Sequence, residues 1–446
     1  MINNINLENE INNILSNSVE EEFPAISATL HTPKDDYVID YIVTLDIERD
    51  FESALTDIVF LDCIIPMGDY INEFYKFKSK LEITLCFKRG HKQNCNRYKA
   101  LILNVDKNIN SSKIQSLDTS DLNNINVIEL KLQLIPIELI LIKKLEHEGI
   151  YHNIKRDEVV KQSMLYEFSK VKIYGNYLNL NYNIVESDIP DKLETVILPT
   201  GTKVAKIPHY VQDKYGLYNF NVNSYFRLDN DIDKNMYIWV YPTVDFNRVN
   251  KEQNIGYIYN TVKTGISATE QSYYLDNHQL KLITDTSEIT GDDYNSLFNS
   301  GKGVEYQKTT DNIQTFNYDI DNKKDNYGLN KKVLTVFDKD GMDNTTNIGL
   351  TDNEGQVNSL LNMNKIAYVQ VVIYNFTGLY GSDPLEELIY PGMPFYYIYN
   401  KQKDKLNKTM KLPGIITKQH ITFQILQKTM SSVILLGVKK PLMMEG

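Results

Sequence analysis

The chain has 446 residues, 42% apolar and 24% charged, enough for about three domains with sizeable cores. Its formal net charge of −11 argues against phosphate binding as the main business of its surface. Three cysteines without paired spacing argue against a disulfide framework and fit a reducing compartment, and every long apolar run is broken by charge, which argues against a membrane span.

Residues 1–24 read as an N-terminal arm. A short helix over residues 7–15 leads to the acidic run Glu20–Glu22, without the basic and apolar segments of a signal peptide. Strand signals then begin. Residues 37–47 (YVIDYIVTLDI) alternate over much of their length, and 57–65 (DIVFLDCII) are more continuously apolar. Pro66-Met67-Gly68 marks a turn, and 69–78 read as a helical turn or loop. Strand 80–88 (KLEITLCFK), a polar turn at 89–96, strand 97–105 (RYKALILNV), a polar excursion and strand 127–135 (VIELKLQLI) make an antiparallel meander. About five strands over 25–136 suffice to close a small barrel. Cys86 is expected in its core and His91 in a solvated turn.

Character changes at Pro136. Residues 153–168 carry the longest helical spacing, through Val159, Val160, Met164, Leu165 and Phe168. Residues 185–215 read as loops punctuated by prolines, and a hairpin follows from 224–228 and 236–241 (MYIWVY). We take 137–245 as a mixed α/β domain. Residues 246–350 hold strand signals at 255–262, 279–283 and 332–336 between stretches rich in Asn, Asp, Gly and Thr. They read as the start of a second barrel plus a loop-rich insertion. Residues 351–446 repeat the first design: a helix at 355–367, a strand at 367–376, a turn at Tyr390-Pro391-Gly392-Met393, then strands 394–400, 411–427 and 432–439. The repeat is of architecture, not of residues.

The motifs that carry chemistry are absent or misspaced. His147-Glu148 with His152 puts the second histidine at i+5, whereas a zinc-protease helix needs i+4. Cys86, His91 and Cys95 lack a fourth zinc ligand nearby. The clusters Asp229–Asp233, Asp319–Asp325 and Asp338–Asp343 miss the glycine and glutamate spacing of a calcium loop and read as hairpin tips. Gly301-Lys302-Gly303 lacks the remainder of a phosphate-binding loop. No residue is assigned to catalysis, cofactor or metal, and the chain is not expected to be an enzyme. The weaker alternatives are a β-rich carbohydrate-binding module or a hydrolase.

The order of elements resembles the central hub protein of contractile-tail phage baseplates. The stretches that carry the likeness are 81–105 with 126–142, the hairpin 226–245 (FRLDNDIDKNMYIWVYPTVD), 358–400 with Tyr390-Pro391-Gly392-Met393, and 423–438. The resemblance implies a mainly β fold with two tail-tube-like antiparallel barrels, a mixed α/β domain and a loop-rich insertion. It implies a homotrimer that presents six similar barrels, joins the tail tube or a tube-adaptor protein to the central spike, and touches baseplate wedge proteins. DNA would pass without specific binding, in keeping with the negative net charge. Such a protein belongs in the virion tail baseplate, assembled in the host cytoplasm. Another tail or virion protein, such as a tube adaptor or terminator, is the alternative. Tyr390, Pro391, Gly392 and Met393 are candidate structural or interface residues. Trp239 and Tyr241 are read as core first and interface second.

Overall fold

The computed structural model describes residues 23–89, 92–106, 127–173, 175–229, 235–250, 255–260, 273–276, 279–284, 286–290, 304–309, 313–318, 332–337, 366–374, 389–403 and 406–439. The helix expected at 7–15, residues 355–365 of the helix expected at 355–367, the excursion at 107–126 and the acidic clusters at 319–325 and 338–343 lie outside them, while Ile366 and Ala367 begin a strand. The fold is mainly β.

The opening unit contains β1 (Ala25–His31), β2 (Asp36–Ile39), β3 (Tyr41–Asp50), β4 (Ile58–Pro66), β5 (Glu82–Arg89), β6 (Lys92–Asp106) and β7 (Val127–Pro136). A short helix α1 (Met67–Asp69), continued by a π-turn over Tyr70–Tyr75, joins β4 to β5. Only Asp40 separates β2 from β3, so they act as one bent strand. Its first half pairs with β1 and its second with β4. The pairs β4–β7, β7–β6, β6–β5 and β5–β1 complete the circuit, and the sheet closes on itself. Closure removes the exposed edges that an open sheet of this length would carry. Leu45, Ile47, Leu61, Cys63, Leu85, Leu130 and Leu132 fill the interior, in step with the alternation that is strict on β7 and holds over Thr44–Asp50 of β3 and Ile58–Cys63 of β4.

One expectation is corrected here. Cys86 does not point into this core. On β5 the core face belongs to Ile83, Leu85 and Phe87, and Cys86 lies between them on the outer face. It stands directly opposite Cys95 in the β5–β6 register, with Cα atoms 4.0 Å apart, and the two form a disulfide. The expected polar turn at 89–96 is also shorter. The hairpin pairs through to Arg89 and Lys92, because its polar side chains sit on strands that are solvated on one face.

The middle unit contains α2 (Ile137–Lys144), β8 (Glu146–Ile154), α3 (Arg156–Ser169), β9 (Lys172–Ile173), β10 (Asn176–Tyr177), β11 (Asn179–Ile184), β12 (Leu193–Lys203), α4 (Ile207–Tyr215), β13 (Val222–Asp229) and β14 (Asn235–Pro242). Helix α3 falls where the spacing predicts one. The region read as loops holds β12 and α4 instead. Pro208 lies in the first turn of α4, where its missing N–H costs nothing, and Gly216 ends the helix with φ +71°. His147 and His152, whose spacing misses a zinc helix, both lie on strand β8. It pairs with β12 as a two-stranded ribbon, one face solvated, so its polar alternation hides the strand signal.

The closing unit contains β15 (Gly256–Asn260), β16 (Tyr273–Asp276), β17 (Gln279–Thr284), β18 (Thr286–Thr290), β22 (Ile366–Tyr374), β23 (Pro394–Lys403), β24 (Leu406–Gln424) and β25 (Thr429–Lys439). Between them, β19 (Val304–Thr309), β20 (Ile313–Tyr318) and β21 (Lys332–Phe337) form a separate three-stranded sheet inside the expected insertion. Strands β17 and β18 are one residue apart in the chain; β17 pairs with β15, and β18 with β22. The pairs β22–β25, β25–β24, β24–β23 and β23–β15 complete a second circuit.

The two circuits have the same order. Strands β1, β2/β3, β4, β5, β6 and β7 correspond to β15, β17/β18, β22, β23, β24 and β25, and every neighbour relation matches. Even the bulges coincide. Leu103 is skipped in the β6–β7 register, eleven residues after Lys92, and Thr417 in the β24–β25 register, eleven after Leu406. One strand differs: β15 runs parallel to both its neighbours, whereas β1 runs antiparallel to both of its own. The circuits are not separate bodies. Lys418–Gln424 of β24 pair antiparallel with Thr44–Asp50 of β3, so one 15-stranded sheet runs through both.

Candidate functional site: the junction of the three units

Three segments meet beside the β3–β24 seam. These are the turn after β3, the hairpin β13–β14, and residues 389–393 leading into β23. The hairpin explains its own sequence. Met236, Ile238 and Val240 face the middle-unit core with Phe226. Trp239 and Tyr241 alternate with them and face the closing-unit core, together with Tyr225 of β13. A strand buried on both faces has no polar alternation to show, which is why MYIWVY reads as continuously apolar.

Phe51 ties the segments together. Its N–H donates to the Thr417 carbonyl at 2.8 Å. Its carbonyl accepts from Tyr241 OH at 2.8 Å and from Asn223 Nδ2 at 3.0 Å. Its ring meets Tyr225 edge-on, centroids 5.1 Å apart. Nearby, Arg49 is buried at 2% exposure, an unusual place for a guanidinium. It donates Nε and Nη2 to the two oxygens of Asp57, at 3.2 and 3.3 Å, and Nη1 to Gln419 Oε1 at 3.0 Å. Tyr225 OH donates to Asp57 at 2.5 Å, and burial followed by the Asp57 charge holds that hydroxyl protonated far above its ordinary range. The network therefore touches all three units.

The candidate structural or interface residues of the hairpin and of the turn before β23 lie here. Ile389, Met393, Trp239 and Tyr241 share one buried cluster, with Tyr390 packed against it. Gly392 has φ +69° and offers its carbonyl to Arg248 Nη1 at 2.6 Å. A Cβ built on Gly392 would fall 2.5 Å from the Tyr241 ring. Sequence reading missed Arg49, Phe51 and Asp57. Their one available signal is that Arg49 follows Leu45 and Ile47 at the alternate, core-facing spacing of β3.

The seam carries a titratable pair. His420 Nε2 lies 3.3 Å from Asp46 Oδ1, which also accepts from Thr422 Oγ1 at 2.7 Å. The hydrogen bond to Asp46 raises the His420 pKa, and the hydrogen bond to His420 lowers that of Asp46. The histidine's contribution is complete below its unfolded pKa of about 6.5 and is lost as pH rises through its higher folded value. The aspartate's is complete above its unfolded pKa of about 3.9 and is lost as pH falls through its lower folded value. His420→Asn is therefore expected to destabilise most between about pH 4 and 6.5, and progressively less toward pH 9. Paired thermal melts across that range check it, and a pH-independent difference would remove the pair from the account.

Elsewhere, His147 spends both ring nitrogens on protein groups: Nδ1 meets Glu167 at 2.8 Å and Nε2 meets Tyr151 OH at 2.7 Å. Among the described residues no group of three His, Cys, Asp or Glu could hold a metal ion. No helix among them is long and apolar enough to cross a membrane. A cleft of about 710 Å³ beside Ser53 and Leu55 is lined by Lys143, Lys206 and His209. Burial lowers the His209 pKa, opposed by the Asp213 charge and aided by that of Lys206.

The fold and the junction define a mainly β protein whose two like-ordered rings are joined through a shared sheet and a common aromatic core. No family model matches the chain, and no curated protein matches it in sequence. Among solved structures it is similar to a tail protein from Neisseria meningitidis, with 8% identity over 93% of this chain and 96% of that one, at a TM-score of 0.44. It is similar as well to the tail protein of prophage MuSo2 from Shewanella oneidensis, with 9% identity over 92% and 98% of the two chains and a TM-score of 0.44. A component of the type VI secretion system of E. coli aligns at 10% identity over 93% and 79%, with a TM-score of 0.38.

Proposed function

We propose that the chain is a structural protein of a contractile-tail baseplate, the hub between the tail tube and the central spike. The observation that carries this reading is the duplication of one ring order within a single chain. Three copies would present six like rings, and a threefold spike could then dock on a sixfold tube. The sequence resemblance over 81–105 with 126–142, 226–245, 358–400 and 423–438 supports the same reading. In it, tube or adaptor, spike and wedge proteins are the partners, the rings line a channel for DNA, and the negative net charge keeps phosphates from adhering. The candidate residues Tyr390, Pro391, Gly392, Met393, Trp239 and Tyr241 then hold the two rings at a fixed angle from within the chain. The domain limits follow the three units, with the first ring over 25–136 and the second resuming after the insertion.

Native mass measurement of the purified chain tests this. The expected species is a trimer of the 51.6 kDa protomer, with threefold rings in electron micrographs. A monomer at concentrations of tens of micromolar, or rings of another symmetry, would overturn the reading.

A further inference from the structure

The cleft beside Ser53 and Leu55 carries a charge opposite to that of the chain as a whole. Its walls come from two units. The turn after β3 supplies Ser53 and Leu55, and the last turn of α2, the end of β12 and the first turns of α4 supply the rest. Lys206, His209, Tyr210 and Asp213 line it at the spacing of one helical face, starting from the residue before α4. Lys143, Lys203 and Lys206 stand there against a single carboxylate, that of Asp213. The net charge of the chain is −11, so such a concentration of cations asks for a cause.

The three lysines are not equivalent. Lys203 is bonded to Glu146. Lys143 lies in the last turn of α2, where the helix dipole favours a cation, so its place has an ordinary reason. Lys206 sits at the opposite kind of end. It directly precedes α4, where the dipole favours an anion, yet no acidic residue occupies the first turn and no side chain caps it. Among the described residues neither Lys143 nor Lys206 makes a hydrogen bond or an ion pair. The cleft is therefore positive without an internal counter-charge at Lys206, and Leu55, Ala205 and Tyr210 add an apolar lining.

We propose that this cleft binds an acidic peptide segment of a partner protein, its carboxylates on Lys143 and Lys206 and its apolar side chains against Leu55 and Tyr210. The volume of about 710 Å³ falls in the range of pockets for small ligands, about 300–1,000 Å³, which suits a few residues of extended chain and not a folded domain. Phosphate is the other anion to weigh. Sites that recognise it by shape use the bidentate fork of arginine, and no arginine lines this cleft. Its unpaired lysines are single charges on separate helices, an arrangement that meets carboxylates spaced along a chain. Asp213, farther along the α4 face, supplies an acceptor for a peptide N–H. The cleft lies within one chain, so its binding does not rest on the hub reading.

The probe is a fluorescein-labelled hexapeptide, Glu-Leu-Glu-Glu-Leu-Glu, titrated with the full chain and followed by anisotropy. Saturable binding is expected, weakened several-fold as salt rises from about 50 to about 300 mM. Lys143→Gln combined with Lys206→Gln should weaken it by about ten-fold or more. Both side chains are exposed, so the melting temperature of the double variant should hold. Lys192→Gln, exposed and outside the cleft, should bind like the wild type. On the wild-type chain, the peptide should slow amide exchange over 201–213. No saturable binding, protection elsewhere in place of 201–213, or a double variant that binds like the wild type would sink the proposal. So would displacement of the peptide by inorganic phosphate beyond that by chloride at equal ionic strength, which would make this a phosphate site. A chain that forms trimers but fails these tests loses the cleft and keeps the hub reading.

Discussion

Arg49→Met is expected to lower the unfolding free energy by about 3–5 kcal/mol, the cost of stranding a buried charge. The guanidinium is the only cation bonded to Asp57 in the hydrogen bonds described above. Without it, the carboxylate retains the Tyr225 hydroxyl as a close donor. The effect is not local. Arg49 is on β3, Gln419 on β24 and Tyr225 on β13, so one side chain links opening ring, closing ring and middle unit. Methionine keeps the aliphatic volume and loses the donors, which separates charge from packing. A chemical denaturation series measures the loss. The double variant Arg49→Met with Asp57→Asn should recover part of it, because the uncompensated charge goes with the second change. If the single variant costs less than about 1 kcal/mol, the network is not what fixes the angle between the rings.

The parts of this fold that were legible are those whose burial shows in local pattern. Strands β3, β4, β7, β22 and β25 carry β-branched runs or clean alternation because one face fills a ring interior. The aromatic hairpin strand and the Tyr390–Met393 turn were visible because both are packed on the same core. What stayed hidden depends on pairing. The bend at Asp40 closes the first circuit, yet nothing in YVIDYIVTLDI distinguishes a bent strand from a straight one. Strands β8 (EHEGIYHNI) and β11 (NLNYNI) are polar because their outer faces are solvated, so apolar periodicity passes over them. The Cys86–Cys95 bond becomes evident only once the β5–β6 register sets the two residues opposite. Arg49 resembles any surface charge until Gln419, 370 residues away, is placed beside it.

Gly392→Ala is expected to cost about 2–5 kcal/mol, from two separable sources. The first is backbone: an L-residue with φ near +69° pays about 1–2 kcal/mol in the left-handed region. The second is contact. The added methyl would lie 2.5 and 2.9 Å from two atoms of the Tyr241 ring and 3.1 Å from Arg248 Nη1. Tyr241 cannot retreat cheaply. It is 2% exposed, and its hydroxyl is committed to the Phe51 carbonyl. Arg248 is held by the Gly392 carbonyl itself at 2.6 Å. Overpacking of this kind costs about 1–3 kcal/mol. Gly201 is the internal control. Its φ is +81° and nothing lies within 4 Å of a Cβ there, so Gly201→Ala should show the backbone cost alone, about 1–2 kcal/mol. The excess at Gly392 then measures how tightly residues 389–393 are clamped on the hairpin. Equal losses at the two glycines would mean that the Tyr241 contact yields freely, and the closing ring would not be anchored to the middle unit through that turn.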